Sequence, residues 1–127
     1  LITPNLIDRC YEAASIFGAV VPVTGVVESI RKVDGDSSVA VSREDFWLVQ
    51  TPQVFNAEIL HESYNKASHK NFTDDASVVE FAGKNIRLVE GIYENIKITT
   101  PSDLIIAEAL WTARKKVQAK QSVTEED

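Results

Sequence analysis

The stretch Thr3-Pro4-Asn5-Leu6-Ile7-Asp8-Arg9-Cys10-Tyr11-Glu12-Ala13-Ala14-Ser15-Ile16-Phe17-Gly18, followed at once by Ala19-Val20-Val21-Pro22-Val23, decides the fold class. Thr3 stands where a helix N-cap is wanted, and Pro4 takes the first helical position, where its missing N–H costs nothing. Leu6, Ile7, Cys10, Tyr11 and Ala14 recur at helical spacing, and Gly18 suits the helix end. Then the period changes. Five apolar residues in a row read as a strand buried on both faces rather than an amphipathic one.

Outward from this unit, helix and strand continue to alternate. Ser29–Val33 and Val39–Val41 are extended, separated by the turn signal Asp34-Gly35-Asp36. That hairpin has few large apolar residues and cannot stand alone in water, so it should lie against something else, a second subunit being the natural choice. Phe46–Gln50 returns to strand character and stops at Pro52; Asn56 begins a second helix. Thr73 is the expected N-cap of a short third helix through Ala82, ended by Gly83, with Asp74 and Asp75 complementing its dipole. Ile86–Glu90 and Asn95–Thr99 are expected strands. Thr100-Pro101-Ser102-Asp103 repeats the Thr-Pro device before the last helix, with an acid where a capping box wants one. Leu104, Ile105, Ala107, Leu110 and Trp111 are its expected buried face. The class is α/β.

At 127 residues the chain is one domain's worth, and its 44% hydrophobic and 25% charged residues are those of an ordinary globular protein. No apolar run approaches the roughly 20 residues that cross a bilayer, and no secretory signal opens the chain. The net charge of −6 argues weakly against nucleic acid. Cys10 cannot pair within the chain and sits on the apolar stripe of its helix, which reads as a buried small hydrophobe in a reducing, cytoplasmic compartment. The absence of methionine, with Leu1 first, leads to the expectation of a piece of a longer protein.

Catalytic signals are thin. There is no P-loop, no Gly-x-Gly-x-x-Gly, no metal-ligand spacing and no nucleophile motif. His61 falls on the second helix and His69 in the loop after it, both read as solvated or capping groups. What remains are phosphate-compatible groups at element ends: Arg43 past the hairpin, Thr51 after a strand, Thr73 at a helix start, Lys97 in an expected strand. Lys97, between Ile96 and Ile98, either points to the solvent face or is held at a site.

Four strings occur in order: Thr51-Pro52-Gln53-Val54-Phe55, Thr73-Asp74-Asp75-Ala76-Ser77, Val89-Glu90-Gly91, and Asn95-Ile96-Lys97-Ile98-Thr99-Thr100-Pro101-Ser102-Asp103-Leu104. Together they resemble the C-terminal part of the methylerythritol phosphate cytidylyltransferase family, from about Pro4 to Trp111. The resemblance implies the C-terminal half of a Rossmann-like nucleotidyltransferase with a mixed sheet and an extended β-hairpin dimerisation arm. Residues 1–118 would form that half, with the arm at about 26–41, and 119–127 a flexible acidic tail. The implied reaction joins 2-C-methyl-D-erythritol 4-phosphate to the α-phosphorus of CTP with release of pyrophosphate, Mg²⁺ riding on the triphosphate. It also implies a homodimer in which each arm reaches the other subunit's site. Carried over residue by residue, Arg43 matches the arm arginine that meets the acceptor phosphate across the dimer. Lys97 matches the lysine that meets it from the home subunit, and Thr51 and Thr73 match hydroxyls lining the pocket. The nucleophile is a phosphate oxygen already anionic at neutral pH, so no catalytic base is needed and none is assigned.

Two departures accompany the resemblance. The family's Asp-Thr at the base of the arm is Gly25-Val26 here, with Thr24 beside it, and the Gly-rich CTP signature and its partner segments do not occur. Ribitol 5-phosphate cytidylyltransferases share much of the pattern, and a non-catalytic dimerisation or phosphate-binding module is the reading from another class.

Overall fold

The computed structural model describes residues 1–67 and 71–124, with the backbone alone for 119–124. His69, read as a loop residue, lies outside the described residues, as do residues 125–127 of the expected tail. The opening unit forms as its sequence dictates. Helix α1 (Pro4–Phe17) is capped by Thr3, whose side chain accepts from the Leu6 N–H, and ends at Gly18 with φ 81°. The left-handed backbone favours glycine there, and an ideal Cβ would lie 2.6 Å from Ile59 Cδ1, so any larger residue would also have to push that side chain aside.

Strand β1 (Ala19–Gly25) follows, buried from Ala19 to Thr24. The other elements are β2 (Ile30–Asp34), β3 (Ser37–Val41), a 3₁₀ turn at Arg43–Asp45, β4 (Trp47–Val49), β5 (Val54–Phe55), α2 (Ala57–Lys66), α3 (Asp75–Phe81), β6 (Arg87–Glu90) and α4 (Pro101–Thr124). β1 is the centre of a mixed sheet. β4 and β5 pair it antiparallel, through Val23↔Val49 and Val20↔Val54, and β6 pairs it parallel, through Val20↔Arg87 to Val23↔Glu90. Because Val20 and Val23 each face β6 on one edge, β4 and β5 must share the other. Pro22 lies at the gap between those two ladders, where its carbonyl accepts from Gln50 N (2.9 Å) and its missing N–H leaves no ladder bond unmade. Thr51-Pro52, a cis peptide, fills the same gap.

The core forms where α1 lies on this sheet: Leu6, Cys10 and Val20 are fully buried, with Val54 nearly so, and Ala13, Ala14, Val89 and Ile92 pack around them. Cys10 is thus the buried hydrophobe its position implied. Among the described strands β2 and β3 pair only with each other, as a separate two-stranded sheet whose residues are mostly exposed.

Four expectations are corrected. Asn95–Thr99 is not a strand; its alternation lacks a ladder partner among the described residues, and side-chain hydrogen bonds hold the segment instead. The α3 cap is Asp74, not Thr73: its side chain accepts from Ser77 N at 2.9 Å. The expected buried face of α4 is largely open: Leu104, Ile105 and Trp111 are 60%, 70% and 48% exposed and only Ala107 is buried. Helical period shows that a face is apolar, not that a neighbour lies against it. The α4 backbone also continues to Thr124, past residue 118, where the tail was expected to begin.

Candidate functional site

Three chain segments meet beside the gap in the β1 ladder: the 49–53 turn, the start of α3, and the irregular run after β6. They enclose a cavity of about 380 Å³ whose lining includes Thr51, Gln53, Thr73, Asp74, Asn95 and Lys97. Thr51, Thr73 and Lys97 come from positions far apart in sequence, and the fold brings them to one place. Arg43 is not among them. It stands in the 3₁₀ turn at the foot of the hairpin, where its Nη1 donates to the Val27 carbonyl.

Each group is positioned by identifiable bonds. Because Asp74 does the capping, the exposed Thr73 hydroxyl is left near the cavity, 3.4 Å from Ser77 Oγ. Asp74 itself accepts from Ser77 N, from the Ser77 hydroxyl and, at 3.1 Å, from Gln53 Nε2. The Ser77 hydroxyl, reinforced by the Ser77 amide and Gln53, holds this carboxyl below the usual range despite partial burial, so it is anionic at neutral pH. Gln53 Oε1 also accepts from Ala76 N at 3.2 Å, which ties the turn to the start of α3.

Lys97 has no hydrogen-bond or ion-pair partner among the described residues. Its segment is nevertheless fixed. Gln50 Nε2 donates to the carbonyls of Ile92 (2.8 Å) and Asn95 (3.2 Å), while Oε1 accepts from Ile92 N (3.2 Å). Asn95 Nδ2 returns a bond to the Thr51 carbonyl at 2.6 Å. Thr24, beside the altered Gly25-Val26 pair, is buried in β1 opposite Leu48 and does not line the cavity.

The arrangement offers an unpaired ammonium, two hydroxyls and side-chain amides, with one carboxylate marking a side that repels anions. It suits a ligand with one phosphate end and one hydroxyl-bearing end. A neighbouring cavity of about 480 Å³ shares Thr73 and Asp74 but adds Asp75, and its described lining residues bring carboxylates and no cation. Among the described residues no three His, Cys, Asp or Glu side chains gather as a metal site. Sequence reasoning missed Gln50, Gln53 and Asn95. The one local signal was two glutamines bracketing Thr51-Pro52 where a strand stops.

The family model described as 2-C-methyl-D-erythritol 4-phosphate cytidylyltransferase matches residues 1–113. The chain is similar to proteins of that name from Phocaeicola vulgatus, 50% identical over 109 residues, and Bacteroides thetaiotaomicron, 51% identical over 109 residues. In both cases the match covers 86% of this chain and 50% of the relative. The crystal structure of the Thermus thermophilus protein of the same name is similar at a TM-score of 0.79 and 39% identity, over 88% of this chain and 57% of that one. The chain spans about half the length of the curated relatives it matches.

Proposed function

The chain belongs to the 2-C-methyl-D-erythritol 4-phosphate cytidylyltransferase family, and on that premise we propose that it is the acceptor-binding and dimerisation half of such an enzyme. The reaction assigned is transfer of CMP from CTP to 2-C-methyl-D-erythritol 4-phosphate, releasing pyrophosphate. The observation that carries the reading is the convergence of Thr51, Thr73 and Lys97 on one cavity. In it, Lys97 takes the acceptor's phosphate and the Thr51 hydroxyl donates to it, while Asp74 turns the phosphate away from the α3 side, leaving that side, with the Thr73 hydroxyl, for the polyol hydroxyls. The acceptor's phosphate oxygen attacks the α-phosphorus; a P–O bond forms there as the bond to the β-phosphate oxygen breaks. The chain's part is to hold one dianion in line against another and to offset the charge that gathers. Mg²⁺ on the triphosphate would offset charge there, and the chemistry assigned to this chain's residues does not run through it.

The hairpin supports the dimer part of the reading. It pairs with no other described strand and is mostly exposed, so a second copy is the partner that would give it a surface, and Arg43 at its foot would bring a guanidinium to the partner's cavity. No helix among the described residues is long and apolar enough to cross a membrane, and a buried free thiol at Cys10 suits a reducing compartment such as the cytoplasm.

Isothermal titration with 2-C-methyl-D-erythritol 4-phosphate, with ribitol 5-phosphate alongside, tests the reading. Saturable binding is expected, tighter for the first. Removing a charge-assisted bond with Lys97→Ala or Arg43→Ala loses about 1.5–3 kcal/mol, roughly ten- to a hundredfold in Kd. Binding of neither ligand, or full affinity in Lys97→Ala, overturns it.

A further inference from the structure

Gln50 carries no charge, lines the cavity yet commits every hydrogen bond of its side-chain amide to a neighbouring turn, and lies 47 positions before Lys97 in the sequence. We infer that it is a positioning residue for the acceptor site: its amide fixes the 91–95 turn, and through that turn it sets where Lys97 stands relative to Thr51 and Thr73. This rests on the reading of the cavity as the acceptor-phosphate site and adds a residue to it.

The geometry is that of a socket. All three hydrogen bonds of the Gln50 amide go to the turn that leads to Lys97, two given and one received. Asn95, two residues before Lys97, is held twice: its carbonyl by Gln50, and its side chain through the bond to the Thr51 carbonyl. Thr51 is the next residue after Gln50. The two phosphate-facing groups therefore hang on one hydrogen-bonded unit rather than on two independent loops.

Gly91 completes the socket. Its N–H donates to the Val23 carbonyl at 2.8 Å, and an ideal Cβ at this position would lie 2.2 Å from Gln50 Oε1. Only a residue without a side chain lets the amide sit this close. Lys97 is exposed and unpaired, on a segment with no ladder to hold it. Its position follows from this clamp and from the α4 cap that begins at Thr99. A cation displaced by about an ångström from a bound anion loses much of its effect, with costs up to about a hundredfold at reacting sites.

The test titrates the chain with 2-C-methyl-D-erythritol 4-phosphate and with inorganic phosphate, well below the melting transition, in variants that leave Lys97 untouched. Gln50→Leu keeps the side chain's bulk but removes its donors and acceptor; Gly91→Ala evicts the amide without altering Gln50. Each should weaken binding by about tenfold or more, and the double variant should be no weaker than either single one. In a Lys97→Ala background, Gln50→Leu should cause no further loss, because the group it positions is gone. A merely structural role would lower the melting temperature yet leave affinity in the folded protein unchanged. Gly91→Ala carries the same test should Gln50→Leu fail to fold. If the unaltered chain and Lys97→Ala differ but Gln50→Leu and Gly91→Ala bind as tightly as the unaltered chain, the inference falls and the site reading stands. If the unaltered chain binds neither probe, the site reading falls and takes this inference with it.

Discussion

Gly91→Ala has a cost that can be worked from the coordinates. Gly91 is not one of the glycines with left-handed backbone, so the effect is steric. The new Cβ would meet Gln50 Oε1 at 2.2 Å and the Val23 carbonyl at 3.1 Å. The strand carbonyl cannot move far, so the Gln50 amide leaves its socket and three hydrogen bonds go with it. Each is worth roughly 0.5–1.5 kcal/mol net, and the half-buried setting puts the loss at about 2–3 kcal/mol. Against this, alanine restricts the unfolded chain and returns about 0.4–1 kcal/mol. The variant should be destabilised by about 1–2.6 kcal/mol, which for a domain of this size lowers Tm by roughly 4–10 °C. Thermal unfolding followed by circular dichroism, on Gly91→Ala, Gln50→Leu and the double variant, reads this directly. Both changes act through one amide, so the double variant should cost little more than the worse single one. Strict additivity, or a Gly91→Ala protein as stable as the unaltered chain, would refute the reasoning.

Asp74→Asn keeps a good N-cap for α3 while removing the one negative charge in the cavity's described lining; phosphate should bind more tightly, by roughly two- to tenfold at low salt, and an unchanged or weakened affinity by titration would contradict the role given to Asp74. Asp103 accepts from the backbone N–H groups of Thr99 and Thr100 and from both their hydroxyls, which holds its pKa down to about 2 from 3.8. A depressed carboxyl stabilises the fold above its unfolded pKa and loses that contribution as pH falls through the folded one. Fraying at the start of α4 should therefore appear between pH 3.8 and about 2, seen as loss of protection of the first-turn amides, and Asp103→Asn should show no such step in that window.

What was legible in the sequence was local. The α1 cap and stop, the buried run of β1, the hairpin and the capping box of α4 are each written within a few residues, and each formed as read. The errors have a common physical origin in partners that local patterns do not name. Thr73 and Asp74 are adjacent and both cap-competent, and the choice was made by a bond to Gln53, 21 residues away. Asn95–Thr99 alternates like a strand but finds no ladder. The α4 stripe is periodic yet mostly uncovered. Three of the four candidate site residues converge, and Arg43 stands apart in its own chain. For Gln50 and Asn95 strand periodicity said nothing of their clamp, because their partners lie 42 to 45 positions away.

Among the described strands of the mixed sheet, β4, β5 and β6 each pair with β1 and not with one another. The sheet is thus a hub rather than a lattice. Loss of one outer strand removes one ladder and leaves the others standing, whereas opening seven residues, Ala19–Gly25, dissolves all of them at once. Amide exchange should report this asymmetry as two kinetic classes, the outer-strand amides escaping by separate local openings and those of β1 only by global unfolding. The Thr51 turn hangs from the antiparallel edge of that hub and the Lys97 segment from the parallel edge. The lifetime of the binding cavity is therefore set by how long a single strand stays in place.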